Sequence, residues 1–435
     1  MTRHLPWFPR RRWFFRTPVF EFELTRALWA TPFGGADFGE VMTVIPEIRE
    51  GNFDSWYRAW AVLARTVAER GDRLVDPVSR GNARLRASSY MRSAEFFLAP
   101  SDARRAQAAT FCRQQFYEGL QVLGVEVVRS NVPYNGVEME TMFLRSVSAR
   151  EDDVLVVHGG FDSTPEELYF TIGAGALERG FHVLIWEGPG QGQLLRTHRR
   201  TFVPDWEKPA SVALRSLSEH CCPRAIIGVG VSLGGHLLAR AAAHLDRYHG
   251  IVLFDYFPPL LAAIQHQVPP FLRGMLERPP PCIDRVVRLY GTLDRTLAWI
   301  IANASWTFGT KSLPELISRA REFDDTAWAE RIDSHVLVLV GQDEQFFDKE
   351  LAYNFLARLK SARSARLREF RREEGGHLHC RNGAIHLAHE EIFDWIRTTV
   401  LSDTDLLTQR TFAGGEPRTG AGQSPTTASN CQAPS

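Results

Sequence analysis

The chain has 435 residues, 51 basic against 51 acidic, with 44% hydrophobic and 23% charged side chains. That length allows one to three domains with a sizeable core. A zero net charge excludes a protein that coats nucleic acid, which needs a basic excess. No run reaches the about 18 apolar residues of a membrane span. Six cysteines (Cys112, Cys221, Cys222, Cys282, Cys380 and Cys431) in so long a chain make no disulfide framework, so the reducing cytoplasm is the expected compartment.

Residues 1–21 are basic and aromatic, and arginines interrupt any apolar stretch of the secretory type. A docking arm is expected there. From 22 to about 124 the pattern is helical, with polar breaks near Asp72 and Ser101. In Gly81–Tyr90 small residues and arginines fall on separate helical faces. Two short strands follow, Val125–Ser130 and Met139–Arg145, joined through Asn135-Gly136, a hairpin-turn dipeptide.

Strand and helix then alternate. Continuous apolar runs stand at Val154–Val157, His182–Trp186, Ala225–Gly230, Ile251–Phe254 and Val336–Val340, with Arg366–Phe370 leading to a last helix. Such runs separated by helices predict a mainly parallel sheet buried on both faces. A proline-rich, helix-leaning insertion at about 258–331 reads as a lid. The stretch 402–435, rich in Thr, Gly, Ser and Pro, is expected to be disordered.

Gly230-Val231-Ser232-Leu233-Gly234 matches the Gly-x-Ser-x-Gly nucleophile elbow, between an apolar strand and an Ala/Leu-rich helix. A serine at such a turn projects into a site, and the glycines let neighbouring backbones approach. An acyl-transfer serine also needs two backbone donors for the oxyanion. The amide of Leu233 is one; Gly160 or Phe161, in the loop His158-Gly159-Gly160-Phe161, offers the other. The acid is sought after Val340, where Asp343 is preferred for its short side chain and Glu344 competes. The base is sought in Glu373–Cys380, where His377 and His379 compete. Either acid could equally be a solvated loop charge.

His377, His379, Cys380, His386 and His389 crowd one span, but their spacing fits no paired zinc motif. Cys221-Cys222 reads as buried packing. Gly188-Pro189-Gly190-Gln191-Gly192 lacks the Gly-Lys-Ser/Thr ending of a phosphate loop, so a tight turn beside the elbow is expected. No metal and no cofactor are expected.

These motifs resemble the α/β-hydrolase family of bacterial 2,6-dihydroxypseudooxynicotine hydrolase and the fungal yellowish-green pigment, fusarin-type and toxin-pathway hydrolases. The resemblance rests on Asn82–Leu98, Val132–Tyr134, Gly159–Tyr169, Gly188–Gly192, Asp205–Glu207, Gly230–Gly235 and His379-Cys380, spanning roughly Glu21 to Val400. It implies an α/β-hydrolase core, residues 125–401, beneath a helical N-terminal domain folded over the site. It ranks His379, which precedes the Cys of the family's His-Cys pair, above His377. Where the family reads Gly-x-x-Asp-His-Phe, this chain reads Gly341-Gln342-Asp343-Glu344-Gln345-Phe346, which leaves the acid open between Asp343 and Glu344. His236 stands where an aromatic or small residue is common.

The implied activity is serine hydrolysis of an ester, or of a C–C bond in a β-dicarbonyl, on a polyketide-type intermediate. The same triad in a lactone- or lactam-forming cyclase is the alternative, and a ligand-binding member without catalysis or a broad esterase are rivals. The expected partner is that small molecule, with no nucleic acid or membrane; a homodimer is compatible with the sequence.

Overall fold

The computed structural model describes residues 13–404 except 257, 258, 269, 281, 293, 324 and 325. Most of the N-terminal arm (1–12) and the tail from 405 therefore lie outside the described residues. No helix among the described residues is long and apolar enough to cross a membrane.

Among the described residues eight strands form one sheet: β1 (Val127–Tyr134), β2 (Val137–Leu144), β3 (Asp153–His158), β4 (His182–Trp186), β5 (Ala225–Val231), β6 (Gly250–Phe254), β7 (His335–Gly341) and β8 (Ser364–Phe370). Their order is β1-β2-β4-β3-β5-β6-β7-β8. From β4 across to β8 every pairing is parallel, while the β1–β2 hairpin and its junction with β4 are antiparallel. Asn135 and Gly136 both take positive φ (46° and 77°), as the two-residue turn demands. β3 to β7 are buried along their whole length, which is why they lack polar alternation. The two hairpin strands lie a few residues from their sequence-predicted positions, because the turn fixes their register and apolarity alone does not.

Successive side chains along a strand enter different cores. Leu155 and Val157 face the N-terminal helices, whereas Val154 and Val156 face the side that carries the lid. The N-terminal region is helical: α1 (Pro18–Trp29), α2 (Phe53–Asp72), α3 (Pro77–Glu95) and α4 (Ala103–Val122). Asn52, Asp76 and Asp102 cap α2, α3 and α4 by accepting from backbone N–H groups of the first turn. Ala83 and Ala87 of α3 are fully buried, while Arg84 and Arg86 turn outward to Asp72, Glu118 and Glu40. Phe20, Trp56 and Phe97 form its aromatic centre.

The helix after Ser232 is α5 (Leu233–Ala242). The insertion between β6 and β7 is helical as expected; three of its helices concern the site, α6 (Leu260–Gln267), α7 (Arg295–Phe308) and α8 (Leu313–Arg321). Trp299 of α7 packs on Phe96 and Phe97 with ring centroids 4.9 and 5.4 Å apart, so lid and N-terminal helices meet above the sheet. Helix α9 (Ile385–Trp395) closes the core and runs on as a π-helical segment over Ile396–Leu401.

Cys112, Cys282 and Cys380 are free thiols. Cys221 and Cys222 do not pack in the core as expected: Cys221 is half-buried and Cys222 exposed. They sit in the loop entering β5, outside the strand that would have covered them.

Candidate active site

Ser232 stands at the end of β5 with φ 59° and ψ −125°, a backbone conformation that L-residues rarely adopt. Its neighbours show what holds it there. A Cβ on Gly230 would strike the Gly234 carbonyl, and one on Gly234 would lie 2.7 Å from the Gly159 carbonyl oxygen. The Ser232 N–H donates to the Phe254 carbonyl (2.7 Å), and the Gly235 N–H donates to the Ser232 carbonyl (2.8 Å). The glycines of the motif are thus required by backbone approach, and the serine is clamped from both sides.

The Ser232 hydroxyl lies 2.8 Å from His379 Nε2. On the other side of the ring, His379 Nδ1 is 2.9 and 3.0 Å from the two oxygens of Glu344. The three groups form one hydrogen-bonded chain, through which a proton can leave the serine while the carboxylate holds the imidazole upright.

The preferred acid, Asp343, is not in this chain. Its carboxylate accepts from Arg372 Nε (2.9 Å) and Nη2 (2.6 Å) near the surface. The structure brings Glu344, one residue further on, to the imidazole instead. The Asp343 N–H donates to the His377 carbonyl at 3.0 Å, which turns the side chain outward and sends that of Glu344 inward. Glutamate's extra methylene then spans the remaining gap. His377 lies 3.9 Å from Asp343, outside the chain.

A second carboxylate stands behind the histidine. Asp255, fully buried just after β6, is 3.4 Å from His379 Nδ1. It accepts from the Cys380 N–H (2.7 Å) and from Arg381 Nη2 (2.7 and 2.6 Å). Cys380 and Arg381 both have positive φ, 51° and 56°. Asp255 therefore fastens a strained turn whose first residue is His379. The Gln345 side chain accepts from the His379 N–H (2.9 Å), and Asn382 donates to the Phe22 carbonyl and the Thr25 hydroxyl of α1.

Electrostatics separate the two carboxylates. Burial works to raise the Glu344 pKa, but His379 overrides it and holds Glu344 below the ordinary carboxylate range. Burial, reinforced by the charge of Glu344 and opposed by Arg381, pushes Asp255 up to about 7. Glu344 is thus the anionic partner of the ring. For His379 burial disfavours the charged form, yet Cys380 and Glu344 outweigh it and keep the pKa well above 6.5.

The loop that carries the candidate backbone donors packs on the elbow. A Cβ on Gly160 would meet the Leu233 nitrogen at 2.7 Å, so the Gly159-Gly160-Phe161 loop lies directly on the elbow. The Gly160 N–H points to the Ser163 hydroxyl (3.4 Å). The N–H groups of Phe161 and Leu233 have no hydrogen-bond partner among the described residues. Between Gly160 and Phe161, the geometry favours Phe161. Gln191 braces this loop, donating to the carbonyls of Gly159 (2.6 Å) and Gly160 (2.9 Å), while its own carbonyl accepts from the Gly188 N–H. That last hydrogen bond closes the Gly188–Gly192 turn, whose glycines lie against Trp206, Phe202 and Glu187.

A cavity of about 210 Å³ opens on Ser232 and His379. It lies between α1, the Phe161 loop, lid helices α6 and α7, and the Phe346 loop, and its lining is mostly apolar.

Of the other histidines, His236 is buried against Trp328 and Tyr256, and burial pushes its pKa down to about 4. His389 hydrogen-bonds the Thr171 carbonyl and is held neutral by burial in the same way. Asp255, His379 and Cys380 are the one group of at least three potential metal ligands found close enough together among the described residues. Both ring nitrogens of His379 are already engaged there.

The fold and this arrangement define an α/β hydrolase. A profile of the alpha/beta hydrolase family matches residues 154–395, and the chain belongs to that family. It is 31% identical over 416 residues to the hydrolase acrC of Aspergillus aculeatus, covering 88% of this chain and 97% of that protein. It is 29% identical to the 20-hydroxy-prefusarin hydrolase FUS2 of Gibberella moniliformis, covering 90% and 99%. Among solved structures, 2,6-dihydroxy-pseudo-oxynicotine hydrolase superposes with a TM-score of 0.68 at 18% identity, over 86% of this chain and 96% of that one.

Sequence reasoning missed Asp255, Arg381 and Asn382. Asp255 carried a signal, since a lone acid closes the apolar run Ile251–Phe254. Arg381 and Asn382 carried none, because their partners are distant in sequence.

Proposed function

We propose that this hydrolase uses Ser232 as nucleophile, His379 as general base and then acid, and Glu344 as the acid that orients the imidazole. The single observation that carries the reading is the unbroken Ser232–His379–Glu344 hydrogen-bond chain opening on an apolar cavity. Ser232 Oγ attacks a carbonyl carbon while its proton passes to His379 Nε2. The oxyanion accepts from the N–H groups of Leu233 and Phe161. His379 returns the proton to the leaving oxygen, or to the leaving carbon when a β-dicarbonyl is cleaved. Water, deprotonated by the same ring, then releases the acid from Ser232.

The substrate class is a polyketide-type secondary-metabolite intermediate bearing an ester or a β-dicarbonyl. The cavity's mostly apolar lining supports this, as do relatives whose names include a prefusarin hydrolase. Treatment with a small fluorophosphonate tests the nucleophile by intact-protein mass. One phosphonyl adduct on the wild type and none on Ser232→Ala is the expected result. No adduct on either protein rejects the activated serine. Ester and β-diketone panels, followed by product mass, then separate the two bond types.

A further inference from the structure

Helix α1 brings a carboxyl group into the cavity for which hydrolysis itself has no use. Glu23 is only 7% exposed and lines the same cavity as Ser232 and His379. Its one hydrogen bond among the described residues is a long one, 3.4 Å from Arg26 Nη1. Arg26 is committed elsewhere: its Nε donates to Glu167 (2.5 Å) and its Nη2 to Asp162 (3.1 Å). A buried polar group left short of partners is destabilising. When it faces a cavity, whatever the cavity binds can restore the missing bond.

The charge around Glu23 says what kind of bond that is. Arg26 from its own helix, Arg92 from α3, and Asp162 and Glu167 from the segment after β3 all face it. Burial above all, with Asp162 and Glu167 adding to it and Arg26 and Arg92 opposing, pushes its pKa up to about 8. Near neutral pH the group is an uncharged acid with an O–H to donate. The surrounding wall is apolar, including Val19, Phe22, Trp29, Ile264 and Trp299. A donor in a wall that is mostly apolar selects for an acceptor oxygen at that place on an apolar chain.

We propose that Glu23 is a specificity-determining residue whose carboxyl group hydrogen-bonds a carbonyl or hydroxyl oxygen that the substrate carries away from the scissile carbonyl. The proposal rests on the serine-hydrolase reading above and goes beyond it by giving the substrate a second oxygen. It also gives the N-terminal helical region a direct part in substrate choice.

The test compares p-nitrophenyl alkanoates, plain and with a single oxo group at successive chain positions, on wild type, Glu23→Gln and Glu23→Leu. Where an ester is not turned over, its slowing of fluorophosphonate labelling of Ser232 reads binding instead. The wild type is expected to favour at least one oxo ester over its plain counterpart by about tenfold in kcat/KM, mainly through KM. Glu23→Leu should bring that ratio to about one, and Glu23→Gln, which keeps a donor, should retain most of it. In the wild type the preference should fall as pH rises past about 8. A preference that Glu23→Leu leaves intact, or none at any chain position, overturns the proposal. Labelling lost from both variants but kept by the wild type also overturns it, since Glu23 would then serve only to assemble the site. Labelling absent from the wild type itself rejects the serine-hydrolase reading.

Discussion

The nucleophile side of the site and its acid–histidine side are built by different means. Around Ser232 the contacts are between backbones: the Gly230 and Gly234 positions, the Gly160 position against the Leu233 nitrogen, and the Phe254 carbonyl on the Ser232 N–H. Only glycine satisfies such approaches, so the requirement is written into the sequence as a motif. Around His379 the contacts are between side chains from separate loops: Glu344, Asp255, Gln345 and Arg381. Several residue types can fill such roles, and which one does so depends on where each loop points. Backbone-built machinery is legible locally; side-chain-built machinery is not.

The sharpest way to break this comparison is at its shared atom. Ser232→Ala is expected to lower turnover by about 10⁶-fold, with thermal unfolding unchanged, because nucleophile and base act as a unit. Residual turnover within about 100-fold of wild type would reject Ser232 as the nucleophile.

The acid side is tested by Glu344→Gln beside Asp343→Asn. The first should cost about 10⁴-fold in kcat through loss of imidazole orientation and charge. It should also move the acidic limb of the kcat/KM profile to lower pH. The sign follows from the base being active when neutral: Glu344 favours the imidazolium and raises the His379 pKa, so losing that charge lowers it. Asp343→Asn should leave both turnover and the pH profile near wild type, since its partner is the surface Arg372. Equal damage from the two variants would contradict the geometry.

Gly234→Ala probes the backbone side. Its new methyl would meet the Gly159 carbonyl oxygen at 2.7 Å. A loss of about 1–3 kcal/mol of stability is expected from the overpacking, read by denaturant unfolding, together with slower fluorophosphonate labelling. Unchanged stability would mean that the loop yields more easily than the contact suggests.

A smaller effect concerns the N-terminal helices. Glu23 keeps its proton in the folded protein to about pH 8 but loses it near 4.5 when unfolded. The folded state thus holds the extra proton in that window, and stability should fall as pH rises through it. Glu23→Gln should flatten the fall. Thermal midpoints of both proteins from pH 5 to 9 would show it, and parallel curves would reject it.

Reading the sequence was most effective where a pattern has one physical solution. Unalternating apolar runs imply strands buried on both faces, Asn135-Gly136 implies a turn with two positive φ angles, and the Gly-x-Ser-x-Gly run implies a strained elbow. The fold class came from such patterns, and they also supplied Ser232, Leu233, the Gly160-Phe161 loop and the two histidines as candidates for the site. Cys221-Cys222 failed because small apolar residues adjoining a strand carry no mark of where the strand begins.

What only the tertiary structure decided is which side chains meet. Asp343 and Glu344 are neighbours of like charge, and one backbone hydrogen bond, from the Asp343 N–H to the His377 carbonyl, sends one outward and the other inward. Asp255 and Arg381 find each other across 126 positions of sequence, and Glu23 reaches the cavity only because α1 folds back over the sheet. Local sequence fixes what a residue can do within a few bonds of its own backbone. The direction of a side chain at the end of a loop is set by contacts that close only when the whole chain has folded.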